Sequence, residues 1–185
     1  MIHFRPILLA IGLLLTILSA AMMVPALVDL ADNNADWRAF FGAGVFTFFG
    51  GGLLVLMTYS EEPVQLGIKD AFLLTTLSWV ALCAFAAVPL IGVGLSYTDA
   101  FFEVMSGLTT TGSTVLTKLD QLPRGVLLWR ALLNSIGGIG IVVMALLVLP
   151  YLRVGGMQLF HTESSDKSEK IVPRAGVLVL ESTLG

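Results

Sequence analysis

The chain has 185 residues, of which 56% are hydrophobic and only 12% charged, with a net charge of -3. A soluble domain covers its surface with about a quarter charged residues, so this composition describes an integral membrane protein, and the absence of a basic run gives nucleic acid no footing. The single cysteine, Cys83, excludes an intrachain disulfide and is expected to pack in its apolar run, while His3 and His161 stand too far apart, with no cysteine near, for a zinc or haem site.

Charged residues divide the chain into spans. None occurs between Arg5 and Asp29, Arg38 and Glu61, Asp70 and Asp99, or Arg130 and Arg153. Each gap exceeds the roughly 20 apolar residues that cross about 30 Å of hydrocarbon. The pattern predicts spanning helices over Pro6–Val28, Phe40–Tyr59, Ala71–Gly92 and Ala131–Leu152. Pro6 suits a first helical position, where a missing N–H costs nothing. The first span shares a basic start and apolar core with signal peptides, but its length and the three spans after it favour an uncleaved helix. Pro25 and Pro89 are expected to bend the first and third spans near their outer ends. In the second span, Gly42, Gly44, Gly50, Gly51 and Gly52 mark a close contact with another helix. In the fourth, Gly137, Gly138 and Gly140 follow no strand and the run stays apolar. A nucleotide loop is therefore excluded, and close packing is the reading.

Orientation follows from lysine and arginine. With the N-terminus inside, Arg5, Lys69, Arg153, Lys167, Lys170 and Arg174 fall on the inner side. Arg38, Lys118 and Arg124 fall outside, with Arg130 near the outer end of the last span. The excess predicts both termini cytoplasmic. Trp37, Tyr97 and Trp129 at outer ends, with Tyr59 and Tyr151 at inner ends, fit interfacial anchors.

Between the third and fourth spans, Ser96 to Arg124 is too apolar for an ordinary loop and too short to cross and return as two helices. Thr98 or Asp99 can cap a helix start, and Ala100 to Leu108 would form a half-helix ended near Gly107, its negative end directed into the bilayer. Thr109 to Thr114 is then expected to be extended, because β-branched threonines disfavour a continued helix and Gly112 adopts angles closed to other residues. Non-helical backbone at membrane depth must be buried in protein or line a wet cavity, and small hydroxyl residues around a glycine suit a strand whose carbonyls replace an ion's hydration shell. An interfacial helix followed by a polar outer loop would give a similar pattern. Glu103, inside the half-helix, reads as a brace for the strand, as a source of negative field, as a partner of Arg130 or Arg124, or as a wet interfacial carboxylate.

The residues resemble a known family. Asp99-Ala100-Phe101-Phe102-Glu103, Ser106-Gly107-Leu108-Thr109-Thr110-Thr111-Gly112, Trp129-Arg130, Gly137-Gly138-Ile139-Gly140-Ile141, and Gly156-Met157-Gln158-Leu159-Phe160 to Ser168-Glu169-Lys170 together resemble the TrkH/TrkG/KtrB superfamily of bacterial potassium transporters, the TrkH members above all. The resemblance covers about Tyr97 to Arg174. It implies an all-α integral membrane fold, with a helix pair at 1–70, one M1–pore helix–M2 repeat at 71–160 whose filter strand is 109–114, and at 161–185 a cytoplasmic linker leading into a second repeat. It implies potassium uptake across the bacterial inner membrane, with both termini cytoplasmic and no cofactor beyond the transported ion. Thr110, Thr111, Gly112 and Ser113 align with the filter positions. The carbonyls of Thr110 and Thr111 are the expected direct ligands, with the Thr110 hydroxyl as a further candidate. Glu103, Arg130, Gly137 and Gly138 are supporting residues, the glycines packing beneath the filter. Ser113 stands where channel signatures carry an aromatic, which leaves the strand less braced.

Implied partners are the lipid bilayer, the other repeats of a longer chain or further copies of this one, a TrkA-type nucleotide-binding subunit, and a second full-length protomer. Relatives continue beyond the run ending at Glu181–Gly185, so a piece of a longer transporter is expected. The alternatives are a homotetrameric single-repeat cation channel and a non-conducting membrane or assembly subunit. An enzymatic role is disfavoured, since the sequence offers no paired carboxylates, nucleophile with base, or metal cluster.

Overall fold

The computed structural model describes residues 4–60, 67–117, 119, 122–143 and 146. Met1–Val142 forms one body and Val143–Gly185 a second; the first holds the helix packing and the candidate site. The expected inner end of the fourth span, Tyr151, the run Gly156–Lys170 and the linker at 161–185 lie outside the described residues.

The helices are α1 (Phe4–Ala31), α2 (Trp37–Thr58), α3 (Ile68–Ala86), α4 (Val88–Gly92), α5 (Tyr97–Leu108) and α6 (Arg124–Val143). Among the described residues there is no strand. By length and composition α1, α2, the α3–α4 stretch Lys69–Gly92 and α6 can each cross a membrane, matching the four spans expected. Large apolar side chains point outward, such as Phe49 at 70% and Leu56 at 79% exposure, as lipid-facing surfaces require.

α1 and α2 form a hairpin. At its turn Asn33 adopts φ 56°, which lets Asn33 N–H reach the Leu30 carbonyl and Asn34 N–H the Asp29 carbonyl, closing α1 with a Schellman motif. At the far end Arg5 Nη2 donates to the Tyr59 carbonyl at 3.1 Å, satisfying a helix-end acceptor of α2. Midway the backbones touch: a Cβ on Gly12 would lie 2.9 Å from the Gly51 carbonyl oxygen, and one on Gly51 would lie 2.8 Å from that of Gly12. Gly44 meets Met23 and Gly50 meets the Phe85 ring, whereas Gly42 and Gly52 face open space. The close contact expected of all five glycines thus holds for three.

Pro25 leaves α1 unbroken, but Pro89 divides the third span into α3 and α4. Proline has no N–H for the carbonyl four residues back and its ring crowds it, so the ladder resets: Leu90 N–H bonds the Ala87 carbonyl instead of Ala86. The freed Ala86 carbonyl accepts the Trp129 indole N–H at 3.2 Å. Trp129 is fully buried and packs edge-to-face on Phe40, with ring centroids 6.2 Å apart. The interfacial role expected of Trp129 is corrected: it is the largest side chain of the core. Tyr59 and Tyr97 are exposed at helix ends, as expected. Cys83 packs, its thiol 3.5 Å from the Met105 sulfur.

α6 begins seven residues before its expected start at Ala131. Its N-terminus is held at the hairpin turn by Asp29, whose buried carboxylate accepts the Gly125 N–H at 2.7 Å. A carboxylate there satisfies a free helix N–H and sits at the positive end of the dipole. A Cβ on Gly125 would overlap that carboxylate.

Candidate functional site

α5 starts at the hairpin-turn end of the body because Ser96 caps it. Ser96 has extended backbone (φ -65°, ψ 153°), and its hydroxyl accepts the Asp99 N–H at 3.2 Å while donating to the Asp99 carboxylate at 2.7 Å. The expected cap at Thr98 or Asp99 is corrected. An N-cap needs non-helical backbone, which Ser96 supplies, and Asp99 becomes an acidic residue within the first turn.

α5 then descends beside α6 in the same direction. Glu103 meets Arg130, Gly107 backs onto Leu133, and Leu108 reaches Gly137. Gly137 lies about 20 Å along α6 from Arg124, at about 1.5 Å per residue, within the roughly 30 Å of a full span. The half-helix therefore ends inside the depth that α6 crosses. A Cβ on Gly107 would stand 3.3 Å from the Leu133 Cβ, and one on Gly137 would overlap the Leu108 carbonyl. Gly107 thus allows helix contact, and α5 ends one residue later at Leu108, as expected. A Cβ on Gly138 would lie 3.9 Å from the Thr110 methyl, an ordinary contact.

The three threonines after Leu108 close the helix. Thr109 N–H bonds the Met105 carbonyl at 2.9 Å, Thr110 N–H that of Gly107 at 3.0 Å, and Thr111 N–H that of Ser106 at 3.0 Å. The last two bonds define a Schellman motif, which demands a left-handed residue, and Thr110 supplies it with φ 56°. That conformation is uncommon for a β-branched side chain. The expectation that all of Thr109 to Thr114 is extended is corrected: the carbonyls at the helix end need donors, so Thr109 and Thr110 form a turn, and from Thr111 the chain is neither helix nor strand. Gly112 has φ 79°. Thr109 Oγ1 donates to the Met105 carbonyl at 2.8 Å, so the hydrogen in its 2.8 Å contact with Thr111 Oγ1 comes from Thr111.

The chain climbs back along the face of α5 it has just descended. Ser106 Oγ donates to the Ser113 carbonyl at 2.7 Å. Thr114 Oγ1 donates to the Glu103 carboxylate at 2.9 Å, and Val115 N–H donates to Glu103 Oε2 at 3.0 Å. Arg130 Nε donates to Glu103 Oε1 at 2.6 Å, and the Glu103 side chain is 1% exposed. Glu103 is therefore both the contact of the returning chain and the partner of Arg130. Arg124, its other potential partner, pairs with Asp32 at 3.5 Å. The sequence does not announce the roles of Ser106 and Thr114. Its one signal is the spacing of Ser106 one turn after Glu103, which puts both on one helix face.

Thr110, Thr111, Gly112 and Ser113 are brought together on one exposed turn. Among the described residues no donor reaches the carbonyls of Thr110, Thr111 or Gly112, whereas that of Ser113 is engaged by Ser106. Among the described residues no three His, Cys, Asp or Glu side chains converge. The ligands on offer to a cation along this segment are carbonyl and hydroxyl oxygens. Behind the returning chain lies a cavity of about 280 Å³, bordered by Glu103, Ser106, Gly112, Ser113, Arg130 and Asn134.

Helices long and apolar enough to span a membrane, with a short helix and a returning segment between the third span and α6, define an all-α multi-pass membrane protein. The family model TrkH, described as a cation transport protein, matches residues 37–179, and the chain belongs to that family. The Trk system potassium uptake protein TrkI of Halomonas elongata is 43% identical over 176 residues, covering 94% of this chain and 36% of that relative. The Trk system potassium uptake protein TrkH of Escherichia coli K12 is 41% identical over 180 residues, covering 93% of this chain and 36% of its own length. The crystal structure of the potassium transporter TrkH from Vibrio parahaemolyticus matches with a TM-score of 0.77 at 36% identity, covering 92% of this chain and 37% of that one. The chain thus spans little more than a third of the curated relatives it matches.

Proposed function

We propose that this chain carries one potassium-filter segment of a Trk-type uptake system in the bacterial cytoplasmic membrane, with the Thr110, Thr111 and Gly112 carbonyls as ion ligands. The observation that carries the reading is that, among the described residues, no donor reaches the three carbonyls at the foot of the half-helix. Unpaired backbone acceptors at membrane depth are costly unless water or an ion meets them. Left-handed φ at Thr110 and Gly112 on either side of Thr111 breaks the simple alternation of carbonyl directions that a β-strand would impose. Ser113, held by Ser106, takes the lesser part.

Membership of the family and the names of the relatives support potassium as the ion. The hairpin-turn end, where α5 enters, faces outward, which leaves the N-terminus cytoplasmic. Residues 1–70 act as a supporting helix pair and 71–160 as one repeat. A single segment touches an ion from one side, so further segments of the same kind complete the cage. A TrkA-type subunit on the cytoplasmic face and a second protomer complete the assembly. Transport proceeds by permeation with no covalent step.

The test is a chimera in which this whole chain replaces the matching 36% of the Escherichia coli relative, expressed in a host lacking potassium uptake. Growth on low potassium is expected, and Gly112→Asp, which strains the left-handed position and adds charge beside the carbonyls, is expected to abolish it. A chimera present in the membrane that moves no potassium would overturn the reading.

A further inference from the structure

We infer that Glu103 and Arg130 are positioning residues that set cation selectivity, acting through the returning limb Ser113 to Val115 without touching the ion. The inference rests on the filter reading above.

Among the described residues, few packing contacts hold the limb. The cavity of about 280 Å³ lies behind it, Thr111 to Val115 are exposed, and a Cβ on Gly112 would meet nothing within 4 Å. Its position depends on polar contacts. The Schellman turn holds the lower end. At the upper end Ser106 takes the Ser113 carbonyl, and Glu103 takes both the Thr114 hydroxyl and the Val115 N–H. Glu103 could not do this from a free rotamer; Arg130 Nε, 2.6 Å away on a spanning helix, fixes it.

The chemistry requires a carboxylate. Three donors converge on Glu103, from Arg130, Thr114 and Val115, and only a group with two acceptor oxygens can serve them all. An amide would turn an NH₂ towards one of them. Arg130 also cancels the charge of Glu103, so the pair braces the limb while adding no net field beside the ion path. Discrimination between potassium and sodium depends on how far the carbonyl cage can contract around the smaller ion or on the field its carbonyls present. A limb without its brace adjusts more freely and discriminates less well.

The test uses the same chimera, measuring initial potassium and sodium uptake in the deficient host. Glu103→Gln and Thr114→Val are expected to lower the potassium-to-sodium rate ratio roughly three- to tenfold, the scale on which one net hydrogen bond acts. Arg130→Lys keeps the charge but loses the planar fork, and its ratio is expected to fall between those variants and the parent. A purely structural role would lower both rates together and leave the ratio unmoved. Thr114 is exposed, so Thr114→Val decides the matter where Glu103→Gln does not reach the membrane. A transporting parent whose ratio Thr114→Val leaves unchanged overturns this inference alone. A parent that moves no potassium overturns the filter reading and this inference with it.

Discussion

Gly137 faces the carbonyl of Leu108 across a gap that admits no β-carbon. The end of the half-helix is thereby seated directly on the backbone of α6.

Gly137→Ala is expected to push the seat apart, destabilising the protein by about 1–3 kcal/mol as overpacking does. Gly138→Ala is the control: its Cβ would lie 3.9 Å from the Thr110 methyl, and a helical alanine gains up to about 1 kcal/mol over glycine. Thermal unfolding in detergent separates the two. Equal midpoints would show that the seat has no energetic weight.

Thr110 is strained by its left-handed backbone, φ 56°. Thr110→Gly is expected to raise stability by up to about 1 kcal/mol, the lower end of the cost of a left-handed L-residue. Thr110→Val keeps the shape and the carbonyl but removes the hydroxyl. Uptake by the chimera should survive it if the carbonyl is the ligand; loss of uptake would assign the hydroxyl that part.

Asp29 caps α6 from another helix. Asp29→Ala is expected to cost about 1–2 kcal/mol, the range for losing an N-cap acceptor together with its favourable dipole interaction. Asp29→Asn retains an acceptor for the Gly125 N–H and should cost less than Asp29→Ala. A melting temperature unchanged in both would show that α6 needs no cap there.

The spans were legible in the sequence because charge-free runs of that length have few other uses. The half-helix was legible from its acidic start and the threonine run after it. The turn chemistry was not: Thr109 and Thr110 carry strand-forming side chains, yet the unpaired carbonyls of α5 recruit them into a cap. Trp129 shows a different limit. An aromatic near a helix end reads as an interfacial anchor, and the sequence displays Pro89 without showing that the carbonyl it frees will receive an indole 43 residues away. Asp29 escaped notice because its partner is a backbone N–H 96 residues later, and a backbone donor leaves no mark in the amino-acid code. The Glu103–Arg130 pair was foreseeable as one option among several, since opposite charges at membrane depth seek each other. Its use as a strut for Thr114 and Val115 depends on the path of the returning chain.

The parallel descent of α5 and α6 makes the height of the loop a property of α6. Arg130 and Gly137 stand about two turns apart on one face of that helix, and each holds a different level of the loop, the middle of α5 at Glu103 and its foot at Leu108. One residue inserted between them would rotate the lower contact by about 100° and shift it by about 1.5 Å, unseating one level while the other stays gripped. The spacing of Arg130 and Gly137 on α6 thus sets two levels of the loop at once.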